Sequence, residues 1–326
     1  MKKYELTKET KVIGDKTFFR IRALRSFGDI KAGDLGGFIE NERNLSHGGN
    51  AWVGDNAKVG GNAQVCGNAQ VSGDAWVNGD AWVEDNARVD GYAWVGCHAR
   101  VGGDAQVGDN AWVGDNAKVG GYAWVVGNAQ VCGDAWVNGD ARVDGDAWVE
   151  DNARVGDNAW VNGDAQVGDN AWVGDNAKVG DNARVGGNAQ VCGNAQVSGY
   201  ARVSGYAQVG RNAQVGCYAQ VGGYAWVVGN AQVCGDAWVN GDAWVNGDGL
   251  INSNNDYLCE KGLGSHNRSA SFFKCKDGHI HVLCGCFNGN LDEFENKVKE
   301  EHGNSKYAKE YLGFIEVVKT HFEVRQ

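Results

Sequence analysis

Apolar residues recur along most of this chain with a period of six. Alanine occupies every sixth position from Ala51 to Ala243, and valine follows two residues after each alanine, from Val53 to Val245. A helix would scatter these alanines around its axis, because it has 3.6 residues per turn. Within Ala-x-Val the alternation is that of a short strand, and the Gly, Asp and Asn residues between strands are typical of turns. The 33 hexads therefore predict a β-solenoid.

The hexad resembles a known repeat. A unit such as 107–112, Val-Gly-Asp-Asn-Ala-Trp, resembles the hexapeptide repeat of left-handed parallel β-helices, in which an aliphatic and a small residue fill a triangular interior. The preceding segment 27–39, Phe-Gly-Asp-Ile-Lys-Ala-Gly-Asp-Leu-Gly-Gly-Phe-Ile, resembles the YdcK-like proteins, a bacterial and prophage group labelled as acyltransferases. The resemblance implies a single-stranded, three-sided, all-β solenoid with three hexads per coil, hence about 11 coils.

A two-sided solenoid with 12 residues per coil is the alternative. From Trp112 to Lys178 the x position alternates between tryptophan and a polar residue, as a flattened coil with one aromatic face would show. Near-identical segments recur at offsets of 60, 66 and 102 residues, none of which is a multiple of 18. The residues alone therefore leave the coil undecided, and the resemblance favours the three-sided form.

The segments that flank the repeats differ from them in composition. We assign 1–48 to an N-terminal hairpin and capping coil, 49–249 to the solenoid, and 250–326 to a small α+β domain. The last segment predicts strands at 269–275 and 279–286, joined by Asp277-Gly278, and helices at 291–302 and about 305–322. This ββαα pattern resembles a domain found behind solenoids in phage and prophage proteins, which implies such an origin.

Composition limits the class of protein. The formal net charge of −11 disfavours wrapping duplex DNA through its phosphates. Because no apolar run approaches about 18 residues and the opening residues do not form a signal peptide, we expect no membrane association. Ten cysteines without a secretory signal suggest free thiols and a cytoplasmic protein, in the host cell cytoplasm if it is phage-encoded.

The outward x position is restricted to four residue types. It holds Trp 13 times, Gln 11 times, Arg 6 times and Lys 3 times, and every tryptophan of the chain lies there. With 18-residue coils these side chains form one tryptophan ladder and two cation–π sandwiches, which are the predicted binding residues: Trp76, Trp94 and Trp112; Trp124, Arg142 and Trp160; Trp136, Arg154 and Trp172. Two compatible interpretations are that they stabilise the prism by stacking, or that they dock a ligand.

Signals for catalysis or metal binding are sparse. Hexapeptide acyltransferases need a catalytic histidine and usually a loop that breaks the coil, whereas these hexads are unbroken and His98, their only histidine, occupies a corner. We therefore expect no catalytic residue and no cofactor. The C-terminal segment offers possible zinc ligands at Cys259, His266, Cys275, His279, His281, Cys284 and Cys286. Because Cys284-x-Cys286 lacks the usual ligand spacing, we expect packed thiols and no metal.

These patterns predict a non-catalytic scaffold of phage or prophage type that docks a macromolecular partner through its Trp, Gln, Arg and Lys faces. We expect that partner to be a protein rather than a glycan or single-stranded nucleic acid, and the exposed faces also suit a homo-oligomer. One alternative is an acidic inhibitor of a host defence protein, whose corner aspartates imitate nucleic-acid phosphates. The corners mix Asp and Asn freely, so charge placement there looks loosely specified. The other alternative, an acyltransferase, is disfavoured.

Overall fold

Each hexad folds as a two-residue strand followed by a corner, as its sequence predicts. In this computed structural model, which describes residues 2–323, the Ala and Val side chains of the hexads are buried. Trp94 pairs in parallel with Trp76 on one side and with Trp112 on the other, so a coil contains 18 residues. The two-sided alternative is wrong, because a 12-residue coil would have placed Trp112 beside Trp124, whereas it lies beside Gln130.

The unit Met1–Gly174 contains three parallel ladders of strands, which we call the first, second and third faces. The first face consists of Lys58–Val59, Trp76–Val77, Trp94–Val95, Trp112–Val113, Gln130–Val131, Trp148–Val149 and Gln166–Val167. The second consists of Trp52–Val53, Gln70–Val71, Arg88–Val89, Gln106–Val107, Trp124–Val125, Arg142–Val143 and Trp160–Val161. The third consists of Gln64–Val65, Trp82–Val83, Arg100–Val101, Lys118–Val119, Trp136–Val137, Arg154–Val155 and Trp172–Val173.

A hairpin precedes the repeats. Strands β1 (Tyr4–Ile13) and β2 (Lys16–Ala23) pair antiparallel, and the chain turns at Gly14 and Asp15. Strand β3 (Leu35–Ile39) pairs antiparallel with β2 and parallel with Lys58–Val59, and a 3₁₀ turn at Glu42–Asn44 follows it. The hairpin thereby covers the first strand edge of the first face, which would otherwise be open to pairing with another chain.

The unit Asp175–Gln326 contains the remaining hexads, whose strands also form three parallel ladders. Their strands are Arg184–Val185, Arg202–Val203, Gln220–Val221 and Trp238–Val239; Lys178–Val179, Gln196–Val197, Gln214–Val215, Gln232–Val233 and Leu250–Ile251; and Gln190–Val191, Gln208–Val209, Trp226–Val227 and Trp244–Val245. Leu250–Ile251 lies beyond the hexads, as β3 does at the other end. Because both add parallel strands, the solenoid has about 12 turns rather than 11.

A small α+β region follows a 3₁₀ turn at Asn254–Asp256. Its antiparallel sheet contains Tyr257–Leu263, Arg268–Lys274, Ile280–Cys284 and Phe287–Asn290, and helices α1 (Leu291–His302) and α2 (Lys306–His321) pack on it around Phe272 and Ile315. The two predicted helices are confirmed, whereas two strands were missed because their sequences, Tyr-Leu-Cys-Glu-Lys-Gly-Leu and Phe-Asn-Gly-Asn, lack clear alternation. Within residues 2–323 no helix is long and apolar enough to cross a bilayer.

Candidate functional site

The predicted tryptophan ladder on the first face is only partly accessible. The rings of Trp94 and Trp112 stack with centroids 5.1 Å apart, and Trp76 and Trp112 have indole nitrogens that are buried without a hydrogen-bond partner. The ring of Trp112 folds over the backbone of Gly114, where a Cβ would come within 3.2 Å of its indole nitrogen. Part of the surface of this ladder is therefore packed against the solenoid and is not accessible to a ligand.

Other tryptophans of the same unit are exposed. Six have between 37% and 43% of their surface accessible, namely Trp82, Trp124, Trp136, Trp148, Trp160 and Trp172. Of the nine predicted binding residues, the accessible tryptophans are thus those of the two sandwiches, and the structure does not bring the ladder and the sandwiches onto one face. The binding role of all nine residues stays a prediction.

The second face contains the first Trp-Arg-Trp sandwich. The Arg142 guanidinium lies 5.6 Å from the ring centroid of Trp124 and 5.5 Å from that of Trp160. Its Nε donates a hydrogen bond of 2.8 Å to the carboxylate of Asp144, so an anion already occupies one edge of the guanidinium. This pairing leaves Arg142 fewer free donors for a ligand.

From Trp82 to Trp172 the outward positions of the third face hold only aromatic and cationic side chains. Arg100 lies 5.7 Å from the Trp82 ring centroid, and Lys118 and Arg154 lie 5.8 and 5.9 Å from that of Trp136. Trp172 is the next residue in register after Arg154. A groove of about 700 Å³ runs along this part of the face, lined by Trp136, Arg154, Trp172, Asn138, Asn152 and Asn170 among others. The groove therefore combines two aromatic rings, a guanidinium and amide groups that can form hydrogen bonds.

The corner aspartates bind the protein's own backbone. Asp109 and Asp115 have positive φ angles of 55° and 52°, in the left-handed region where glycine stands at many other corners. Their carboxylates accept hydrogen bonds of 3.0 and 3.1 Å from the backbone N–H groups of Gly127 and Gly133, one coil further on. The sequence suggested these carboxylates as phosphate mimics, but each also fastens one coil to the next.

A second set of corner side chains forms amide ladders, in which each Asn Nδ2 donates to the residue 18 positions later. The ladders are Asn62 to Asp80; Asn68 to Asn86 to Asp104; Asn110 to Asn128 to Asp146; and Asn176 to Asn194 to Asn212 to Asn230 to Asp248. Each of these ladders ends on aspartate, because a carboxylate accepts a hydrogen bond and cannot donate one. The expectation that charge is loosely placed at the corners is therefore wrong for these positions.

His98 belongs to the first of these corner columns. Its side chain is 69% exposed, and its Nε2 lies 3.4 Å from a carboxylate oxygen of Asp80, the residue one coil earlier. The other oxygen of Asp80 accepts from Asn62 at 2.8 Å. His98 is thus placed at a corner, beside a carboxylate of its own column.

In the C-terminal region, three of the seven proposed zinc ligands lie together. The ligand atoms of Cys275, His279 and His281 are all within 4.8 Å of one another, and Cys259, His266, Cys284 and Cys286 lie outside this group. Burial, together with the carboxylates of Asp277 and Asp248, raises the pKa of the Cys275 thiol to about 11. The spacing of Cys284 and Cys286 disfavours a metal, but neither residue belongs to the group that forms.

Two family models match parts of the repeats. The bacterial transferase hexapeptide (six repeats) model matches residues 152–187, and the YdcK β-solenoid repeat model matches 63–79, 69–84, 189–205 and 231–247. No curated protein sequence matches the chain. The profile matches agree with the resemblance that the hexads suggest.

Solved structures with a similar fold include three acyltransferases. LpxA from Acinetobacter baumannii is 15% identical, with a TM-score of 0.34 over 53% of this chain and 67% of that one. UDP-N-acetylglucosamine O-acyltransferase (LpxA) from Moraxella catarrhalis is 18% identical, with a TM-score of 0.25 over 53% and 69%. The Arabidopsis UDP-N-acetylglucosamine acyltransferase is 16% identical, with a TM-score of 0.26 over 57% and 67%. Similarity at this level carries no inference about activity.

Proposed function

Starting from a left-handed hexapeptide-repeat β-solenoid that carries YdcK-type repeats, we propose a non-catalytic scaffold that docks a partner protein on its third face. The observation that carries the proposal is the row of exposed tryptophans and cations along that face, with a groove between Trp136 and Trp172. Exposed aromatic surface of this kind is typical of interaction sites. The unbroken hexads and the corner position of His98 support the absence of catalysis.

The chemistry of the groove favours an acidic protein segment that also carries planar side chains. Arg100, Lys118 and Arg154 give this face three cations, and an arginine held beside a ring can bind a carboxylate through paired N–H donors. The rings of Trp136 and Trp172 offer stacking surfaces. A corner carboxylate, Asp157, also lines the groove, so the acidic groups of the partner must meet the cations of the face rather than this corner.

A double variant tests the docking face. Trp136→Ala with Trp172→Ala should weaken binding of an acidic, aromatic-containing peptide by roughly fivefold to 150-fold, since each ring contributes roughly 0.5–1.5 kcal/mol. Fluorescence anisotropy of labelled acidic, neutral and basic peptides measures this effect, with oligonucleotides and oligosaccharides as competitors. Trp148→Ala is the matched control, because Trp148 is equally exposed but lies between Gln130 and Gln166 on the first face. Equal losses in both proteins, or tighter binding of an oligonucleotide, would contradict the proposal.

Phage or prophage origin and a cytoplasmic location complete the proposal. They are supported by the resemblance of the C-terminal segment to phage domains and by ten cysteines that are all free thiols in the structure. Fractionation of cells that express a tagged chain tests the location: recovery in the cytoplasmic fraction is expected, and recovery outside the cytoplasm would contradict it.

An acyltransferase is the second candidate, favoured by the match of residues 152–187 to the transferase hexapeptide family. We predict no binding of coenzyme A or acetyl-coenzyme A in calorimetry and no acyl transfer, because no loop interrupts the hexads to build an acyl-donor site. The His98→Ala protein is the control. Micromolar binding that disappears in the His98→Ala protein would make the enzyme the better account.

A further inference from the structure

The turn between two strands of the C-terminal sheet brings a thiol and two imidazoles together. The backbone N–H of Cys275 donates to the carbonyl oxygen of His279 at 2.9 Å, so these residues face each other across the turn. His279 and His281 are two positions apart on an extended segment, which directs both rings to the same side. The three residues of this Cys-x₃-His-x-His segment therefore have their ligand atoms within 4.8 Å of one another.

Hydrogen bonds fix the protons on the outer nitrogens of both rings. Nδ1 of His279 contacts the carboxylate of Asp277, and Nε2 of His281 lies 2.6 Å from the side-chain oxygen of Asn288. Both contacting atoms are oxygens, which only accept hydrogen bonds, so each outer nitrogen is the one that donates. The inner nitrogens, Nε2 of His279 and Nδ1 of His281, are then lone-pair donors that face each other at 3.4 Å. Two lone pairs so close repel unless a cation lies between them.

We propose that Cys275, His279 and His281 bind a divalent transition-metal ion of the Zn²⁺ class. In a tetrahedral site with Zn–N bonds of about 2.0–2.1 Å, two nitrogen ligands lie about 3.3 Å apart, close to the separation seen here. One thiolate and two imidazoles suit this borderline-soft ion, and the carboxylate behind His279 is the outer partner that zinc-bound histidines commonly have. Binding displaces the thiol proton of Cys275 into solvent and leaves a fourth position for water or an added ligand.

The location of the site indicates a structural consequence. Gly249 and Cys275 form a β-bridge, and the N–H of Lys276 donates to the carbonyl oxygen of Asp248 at 3.2 Å. The metal-binding turn therefore contacts the segment that directly follows the last hexad. An ion that binds Cys275, His279 and His281 would hold this turn closed and stabilise the C-terminal α+β region against unfolding.

Titration of the chelator-treated full chain with Co²⁺ tests the proposal. We expect one ion per chain, visible d–d bands and a near-ultraviolet thiolate-to-cobalt band, all displaced by Zn²⁺. Cys275→Ser should abolish the thiolate band, and Asn288→Ala should weaken Zn²⁺ binding by about tenfold or more through the loss of the outer partner of His281. Because Asn288 is exposed, this second variant keeps the test valid if Cys275→Ser fails to fold.

Cys286→Ser and His266→Gln are the matched controls, since both residues are exposed and lie outside the cluster. They should keep the stoichiometry, the spectrum and the Zn²⁺-dependent rise in melting temperature. The proposal is overturned if the wild-type chain shows no thiolate band, if Cys275→Ser retains it, or if a control variant loses it. Protonation of one histidine, detected by NMR with no effect of added Zn²⁺, would show that a shared proton fills the gap instead.

Discussion

At the residue scale, neighbouring side chains of the solenoid differ in burial because they point in opposite directions. Val149 is fully buried between Val131 and Val167 of the adjacent coils, whereas Trp148, one position earlier, is 41% exposed. The two-residue period of a strand explains this contrast. Stability and surface chemistry are therefore encoded at alternate positions of the same two-residue strand.

We predict that substitutions at these two neighbours lower the stability of the protein by very different amounts. Val149→Asp buries an unpaired carboxylate and should lower the free energy of unfolding by several kcal/mol, because each coil depends on the coils beside it. Trp148→Ala removes stacking and partial burial, and should lower it by about 1 kcal/mol. Thermal melting of the two proteins measures the difference, and equal losses would show that the inward and outward positions are misassigned.

Lys3 is a residue that the sequence did not single out. Its side chain is fully buried, and its Nζ donates to the carbonyl oxygen of Ala51 at 2.6 Å. Burial, with a smaller contribution from the Arg25 charge, lowers the pKa of Lys3 to about 8. Nothing in the opening residues marks a buried lysine, since it follows from how the hairpin packs against 48–51.

This pKa predicts a pH dependence with a definite sign. Between about pH 8 and 10.5 the unfolded chain still holds the Lys3 proton while the folded protein has released it, so stability from this group rises with pH. Chemical denaturation at pH 7.5 and 9.5 should show a gain for the wild type of about 1–2 kcal/mol relative to Lys3→Met. Parallel pH curves for the two proteins would be inconsistent with a lowered pKa at Lys3.

At the scale of the element, most of the side-chain hydrogen bonds that join one coil to the next are formed at the corners. Two-residue strands form few backbone hydrogen bonds, and the corners add Asp-to-backbone bonds and amide ladders at an 18-residue interval. Asn128 illustrates the arrangement, because it accepts from Asn110 and donates to Asp146. Asp and Asn are thus not interchangeable along a ladder.

This asymmetry gives a prediction with its own control. Asn128→Asp removes the donor to Asp146 and places two carboxylates side by side, which should destabilise the protein by about 1 kcal/mol, and by less at high salt. Asp146→Asn retains the acceptor for Asn128 and should be neutral or stabilising. Urea denaturation at two salt concentrations measures both effects, and similar losses in the two variants would mean that the ladders do not bear on stability.

The sequence predicted the regular elements well because their pattern is local. The 33 strands and both helices follow from spacing and turn chemistry. The number of residues per coil does not follow from this local pattern, because it depends on which strands pair. The pairing of Trp94 with Trp112 determines it. The tryptophan exposures, the amide ladders and the Cys275 cluster were also missed, because each depends on side chains brought together from adjacent coils or across a turn.

At the scale of the whole molecule, two surfaces of opposite character are candidate docking sites. Residues 49–249 carry 21 Asp and 2 Glu against 10 Lys and Arg, and the acids lie away from the x positions. Several corner carboxylates already hold backbone N–H groups of the next coil, while the third-face tryptophans are exposed around a groove. This contrast favours the aromatic face over the acidic corners as the docking surface.

The most direct test compares two variants for binding of the same partner at two salt concentrations. One carries Trp136→Ala and Trp172→Ala, and the other carries Asn at four corner aspartates: Asp109, Asp115, Asp169 and Asp175. A partner retained by the wild-type chain should be lost by the tryptophan variant at both salt concentrations and kept by the aspartate variant, since stacking is less salt-sensitive than attraction between exposed charges. Loss confined to the aspartate variant, with affinity that falls steeply as salt rises, would contradict this account and favour the nucleic-acid mimic.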